Sequence, residues 1–159
     1  EEALKCYQEA RAIAPTIYHF ALASANVLAS LRRYECAVKV YDEVLEQNPK
    51  CGLALLSKAE CLRQLRDFPA ALAAFNEIIQ WGPSPFLGSA LACRGVVLIM
   101  INQPLEADKS LEAAINELPS SPFVAICWNL RAVIRFQLGQ CEEAVSFCDE
   151  VRSRSLAWT

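Results

Sequence analysis

Residues 34–49, YECAVKVYDEVLEQNP, decide how the rest of this 159-residue chain is read. They hold an alanine (Ala37), an aromatic four residues later (Tyr41) and a proline twelve residues later (Pro49). The same three marks stand 34 residues away on either side, as Ala3, Tyr7 and Pro15 and as Ala71, Phe75 and Pro83. Ala107, Leu111 and Pro119 continue the series; Ala144 with Cys148 is a fifth member, which closes on Leu156 instead of proline. The residues leading into each alanine align too: Tyr34-Glu35-Cys36 with Phe68-Pro69-Ala70, Pro104-Leu105-Glu106 and Cys141-Glu142-Glu143. A small residue recurs twelve positions before the alanine, as Ala25, Ala59, Gly95 and Ala132. Three residues after it comes a large apolar side chain at Leu28, Leu62 and Leu98, where the last copy has Arg135.

A period of this length marks an array of supersecondary units. Each unit holds two apolar-periodic stretches of about 14 residues, a helical length. The connections Arg32-Arg33, Arg66-Asp67, Asn102-Gln103 and Gly139-Gln140 are short and polar, which forces antiparallel neighbours. The small residues let two helices approach, the aromatic fills the space beside the alanine, and proline ends the second helix. A single unit cannot bury its apolar face, so units stack. The spacing predicts a helix over 1–14 and pairs over 18–31 and 34–47, 52–65 and 68–81, 86–101 and 104–117, and 122–138 and 141–154. Two linkers, Gly82 to Phe86 and Pro119 to Phe123, are longer, and in each a serine before proline (Ser84, Ser121) suits an N-cap.

The pattern closely resembles the tetratricopeptide repeat (TPR), a helix–turn–helix of about 34 residues read by W-x₂-L-G-x₂-Y, A-x₃-F and P. Trp128 holds the tryptophan position of the last unit, and Ala21, Leu55 and Leu91 replace it elsewhere. Ser24, Lys58, Arg94 and Arg131 replace the leucine of the L-G pair, and residues 137–144 look like a typical family turn. The resemblance covers essentially the whole chain. It implies an all-α fold: an α-solenoid of antiparallel helix pairs in a right-handed superhelix, with about four and a half repeats and nine helices. The expectation is one domain over 1–159, made of a half repeat at 1–17 and repeats at 18–51, 52–87, 88–124 and 125–159.

The resemblance also implies a concave surface, lined by the first helix of each unit, that holds peptides or partner helices. By position it would present His19, Leu22, Asn26, Ala29 and Ser30, then Leu53, Leu56, Glu60, Arg63 and Gln64. Ser89, Ala92, Val96, Ile99 and Met100 follow, and then Ile126, Asn129, Val133, Phe136 and Gln137. Some family members clamp a C-terminal carboxylate there. Asn26 matches one clamp position, but Leu22, Ser57, Ser89 and Cys93 stand where the other clamp residues are needed, so no such clamp is expected. Arg94 and Arg131 are candidate anion contacts, with intramolecular pairing as the alternative. The expected groove is mixed polar at Asn26, Glu60, Arg63 and Gln64 and apolar at Val96, Ile99, Met100, Val133 and Phe136. The apolar end suits an amphipathic helix or an extended hydrophobic segment. Packing against a tighter superhelix or against more of the same protein is the competing expectation.

Composition bounds the function. Hydrophobic residues make up 54%, charged residues 21%, and the net charge is −3. That excludes disorder and argues against nucleic acid as a partner. The eight cysteines form no C-x-x-C pair, which speaks against zinc and redox motifs and for reduced, mostly buried thiols in the cytoplasm or nucleus. Charges at Glu1, Glu2, Lys5, Glu9 and Arg11 leave no signal-peptide core. The apolar run Gly95 to Ile101 is seven residues, against about 20 for a membrane span. The lack of an initiator Met, and an opening inside a helical pattern, lead us to expect an excerpt of a longer protein.

The single histidine, His19, must serve any Ser–His or Cys–His pair, and a polar surface contact is the simpler role for it. No metalloprotease, P-loop or dinucleotide motif is present. Asp42/Glu43 and Glu142/Glu143 read as solvated faces, and Arg32-Arg33 as a helix-end charge. The expected function is therefore a non-catalytic scaffold, without cofactor or metal, that binds a protein partner. One alternative is assembly, by self-association or docking in a larger complex, through the array's ends near Leu156 and Trp158. The other is an accessory domain of an enzyme.

Overall fold

The computed structural model describes residues 18–118 and 123–156. Among them are eight helices and no strand: α1 (Tyr18–Ser30), α2 (Tyr34–Gln47), α3 (Gly52–Gln64), α4 (Phe68–Gln80), α5 (Leu87–Met100), α6 (Pro104–Glu117), α7 (Phe123–Gln137) and α8 (Cys141–Leu156). α2 and α6 run over the expected spans, and the others differ by one or two residues at an end. The helix expected over 1–14, Ser121, and Trp158 lie outside the described residues. The fold is the α-solenoid class, built from antiparallel pairs. The chain divides between Gln80 and Trp81 into two compact units. In the first, α1 to α4 pack in chain order and α1 also touches α3. In the second, α5 to α8 pack in chain order.

All four tight turns have one geometry. Arg32, Arg66, Asn102 and Gly139 stand at φ 58°, 62°, 60° and 78°, each five residues before its repeat alanine. The left-handed residue and its successor donate N–H groups back into the last helical turn. Arg32 and Arg33 bond Ala29 and Leu28, and Arg66 and Asp67 bond Arg63 and Leu62. Asn102 and Gln103 bond Ile99 and Leu98, and Gly139 and Gln140 bond Phe136 and Arg135. This is the Schellman arrangement, which satisfies carbonyls a helix end leaves unpaired. Arg32 thus serves the turn through its backbone. The successor's carbonyl then accepts from the alanine N–H at 3.0–3.1 Å, starting the next helix at once.

The alanines explain the close pairing. Ala25, Ala37, Ala59, Ala71 and Ala107 are all fully buried, with Tyr41, Phe75 and Leu111 buried beside them. At Gly95 the approach leaves no room for a side chain: a Cβ there would lie 2.8 Å from Leu111. The expected cap at Ser84 does not form. Its carbonyl accepts from Leu87 N–H at 3.1 Å, Phe86 takes the N-cap place, and Ser84 Oγ is buried with no hydrogen-bond partner among the described residues.

Candidate interaction surface

In every first helix the small residue faces its own pair partner. Positions one, four and five residues further on lie to one side of it on the helical wheel. In the first unit these positions are bonded within the protein. Asn26 Oδ1 accepts from Tyr41 Oη at 2.7 Å. Asn26 is exposed, as a groove residue would be, and its acceptor satisfies the phenol of a side chain only 1% exposed. Burial pushes the Tyr41 pKa up to about 12, with Ser57 pulling the other way. Glu60 accepts from Arg63 Nε at 2.9 and 3.1 Å and from Gln64 Nε2 at 3.2 Å, so these three satisfy one another along α3. His19 is exposed, with its ring centroid 4.0 Å from that of Tyr18.

The second unit is different. On α7, Phe123, Ile126, Val133 and Phe136 are 58, 52, 50 and 68% exposed. Their spacing puts them on one stripe, which Asn129 and Gln137, also exposed, interrupt and border. The equivalent α5 residues Val96 and Ile99 are half-buried, and Met100 is exposed.

The other side of α7 is occupied. Arg131 Nε donates to Asp108 Oδ1 at 2.8 Å, and Nη2 donates to Glu112 Oε1 at 3.1 Å. Arg135 Nη2 donates to the second Asp108 oxygen, and its Nη1 donates to Gln140 Oε1 at 3.0 Å. Arg131 also lies 5.2 Å from the Trp128 ring and 4.7 Å from that of Phe147. Burial works against its charge, but Asp108 and Glu112 outweigh that and raise its pKa. At 5% exposure Arg131 is an internal ion-pair partner, which rules out the anion contact. Arg94 likewise has a partner. Sequence reasoning missed Asp108, which stands where other repeats carry Val38 and Leu72. The signal was Arg135, the break in the series Leu28, Leu62 and Leu98.

A second pair sits in the same repeat register. Lys58 and Arg131 each precede the small residue, and Asp42 and Glu112 each stand five residues after the alanine. Lys58 Nζ lies 2.6 Å from Asp42 Oδ1, so Asp42 is not the freely solvated charge expected. The thiols also differ from expectation. Cys61 and Cys127 are buried, but Cys36, Cys141 and Cys148 are exposed, the last at the aromatic position of α8. Among the described residues no group of His, Cys, Asp and Glu could hold a metal, and no helix is long and apolar enough to cross a membrane.

Residues 22–86 match the family model for the tetratricopeptide repeat. That stretch is tetratricopeptide repeat. Its fold matches MamA from Desulfovibrio magneticus RS-1 with a TM-score of 0.86 at 18% identity, over 99% of this chain and 86% of that one. YrrB, a TPR protein described as having an unusual peptide-binding site, matches with a TM-score of 0.61 at 17% identity, over 91% and 90%. The Cut9–Hcn1 assembly of APC/C matches with 0.77 at 12%, over 95% of this chain and 28% of that one. No curated protein matches the sequence. The TPR fold is that of a protein–protein interaction scaffold.

Proposed function

We propose that this protein holds an apolar helical or extended segment of a partner protein against the first-helix face of its second unit, without catalysis. The observation that carries this is the α7 stripe of Phe123, Ile126, Val133 and Phe136, each at least 50% exposed. Large apolar side chains gathered on one face and left in water cost free energy and are seldom kept without use. In the first unit Glu60, Arg63 and Gln64 are bonded to one another and Asn26 to Tyr41, so they offer less to a ligand than the stripe does. The peptide site described for YrrB agrees with this reading. A net charge of −3 favours a protein over a nucleic-acid partner, and free thiols at the seven described cysteines suit a cytoplasmic or nuclear setting.

Affinity capture with the unaltered chain beside a Val133→Asp/Phe136→Asp variant tests the proposal. Both side chains are at least half exposed, so the variant is expected to keep its helical circular dichroism and thermal midpoint while losing the captured partner. Undiminished capture by the folded variant would overturn the reading.

A further inference from the structure

α7 has two apolar faces, and the larger one is outside. Phe123, Ile126 and Val133 are exposed, and each stands one residue before a buried side chain, Val124, Cys127 and Ile134 respectively. Turning α7 by one residue, about 100°, exchanges the two sets. The same turn puts the half-buried Leu130 in the place of Arg131. On apolar area alone the exchange is favourable: Phe, Ile, Leu and Val would replace Val, Cys, Arg and Ile against α6. α7 also enters on a longer connection than α3 does, since Ala107 and Ala144 stand 37 residues apart, against 34 for Ala37 and Ala71.

Charge opposes the exchange. Asp108 of α6 is buried, and it accepts from Arg131 Nε at 2.8 Å and from Arg135. The Arg131 guanidinium is held further by Glu112 of α6 at 3.1 Å and by the Phe147 ring of α8 at 4.7 Å. In the turned helix Leu130 would face Asp108, and a buried carboxylate would lose its partners, which is costly. The α2–α3 junction has no such conflict. On α3 the positions matching Ile126, Leu130 and Val133 hold Leu53, Ser57 and Glu60, so no second apolar face competes. The Lys58–Asp42 pair there is partly exposed, with side chains at 25 and 47%.

We propose that Asp108 is a positioning residue: paired with Arg131 and Arg135, it fixes the rotation of α7 and so keeps the larger apolar face outward. A buried charge pair of this kind acts against an alternative packing more than it adds stability. The rotation is set inside the chain, whatever then covers the stripe.

Val133→Cys supplies a reporter that needs no partner, its alkylation by iodoacetamide being read site by site by peptide mass spectrometry. With the rest of the chain unaltered, the introduced thiol is expected to react as fast as the exposed Cys141 and Cys148. Adding Asp108→Leu and Arg131→Met slows it about tenfold, while the helical circular dichroism and a cooperative thermal transition remain. Asp108→Asn keeps the volume, removes only the charge and slows the reaction about threefold; Asp108→Glu leaves it fast. An unchanged rate in the folded Asp108→Leu/Arg131→Met chain would overturn the proposal. Should that chain not fold, an unchanged rate in Asp108→Asn does the same. Faster reaction at Cys127 without slowing at position 133 would mean that α7 loosens instead of turning, and the proposal would also fail.

Discussion

Arg66 holds φ 62°, where the Cβ of an L-residue crowds its own carbonyl at a cost of about 1–2 kcal/mol. Its side chain is exposed, and the Schellman bonds need only its backbone. Gly139 fills the equivalent place with no such crowding. Arg66→Gly is therefore expected to raise stability by about 0.5–1 kcal/mol, the relief exceeding the greater chain entropy of glycine. Urea denaturation measures this, and an unchanged or lower midpoint would contradict it. The turn positions were legible as short polar connections. The left-handed backbone was legible at Gly139 and, more weakly, at Asn102, because glycine and asparagine favour positive φ and the arginines at Arg32 and Arg66 do not.

Among the elements, α6 and α7 differ from the other helices in meeting around buried charge. Asp108, only 6% exposed, serves Arg131 and Arg135 together. Removing one member of a buried pair leaves the other charge without compensation, at about 3–5 kcal/mol. Asp108→Ala should lower stability by that amount, as read from chemical denaturation. Asp108→Leu combined with Arg131→Met should recover most of the loss, because apolar side chains of similar volume replace the pair. A double variant no better than the single one would show that Arg131 is not what makes Asp108 necessary. Helix ends and pairings followed from local signals in the sequence. This charge cluster did not, because nothing local distinguishes an aspartate that will be buried from one that will face water.

For the whole molecule, the buried acids set an alkaline limit. Burial raises Tyr41 from 10.0 to about 12, and burial with the Glu60 charge raises Cys61 from 9.0 to about 11. Burial raises Cys127 in the same direction. The folded chain thus keeps protons that the unfolded chain releases. Their contribution is complete below pH 9 and is lost as pH rises from 9 through 12, by at most about 2–3 kcal/mol per group. Denaturation midpoints followed over that range should fall steadily, and Tyr41→Phe should flatten the upper part. A Tyr41→Phe profile identical to that of the unaltered chain would refute the assignment.

The sequence by itself determined the repeat register, the helix pairs and the alanines at which they touch, since each is a periodic signal carried within one or two turns of chain. It also placed Ile126, Val133 and Phe136 on one helical face. Tertiary structure alone decided which polar groups are already engaged. Tyr41 reaches Asn26 across 15 residues, Arg131 reaches Asp108 across 23 and Arg135 reaches it across 27. Those partners meet only after neighbouring helices have packed, and a hydrogen bond across that distance leaves no period to be read.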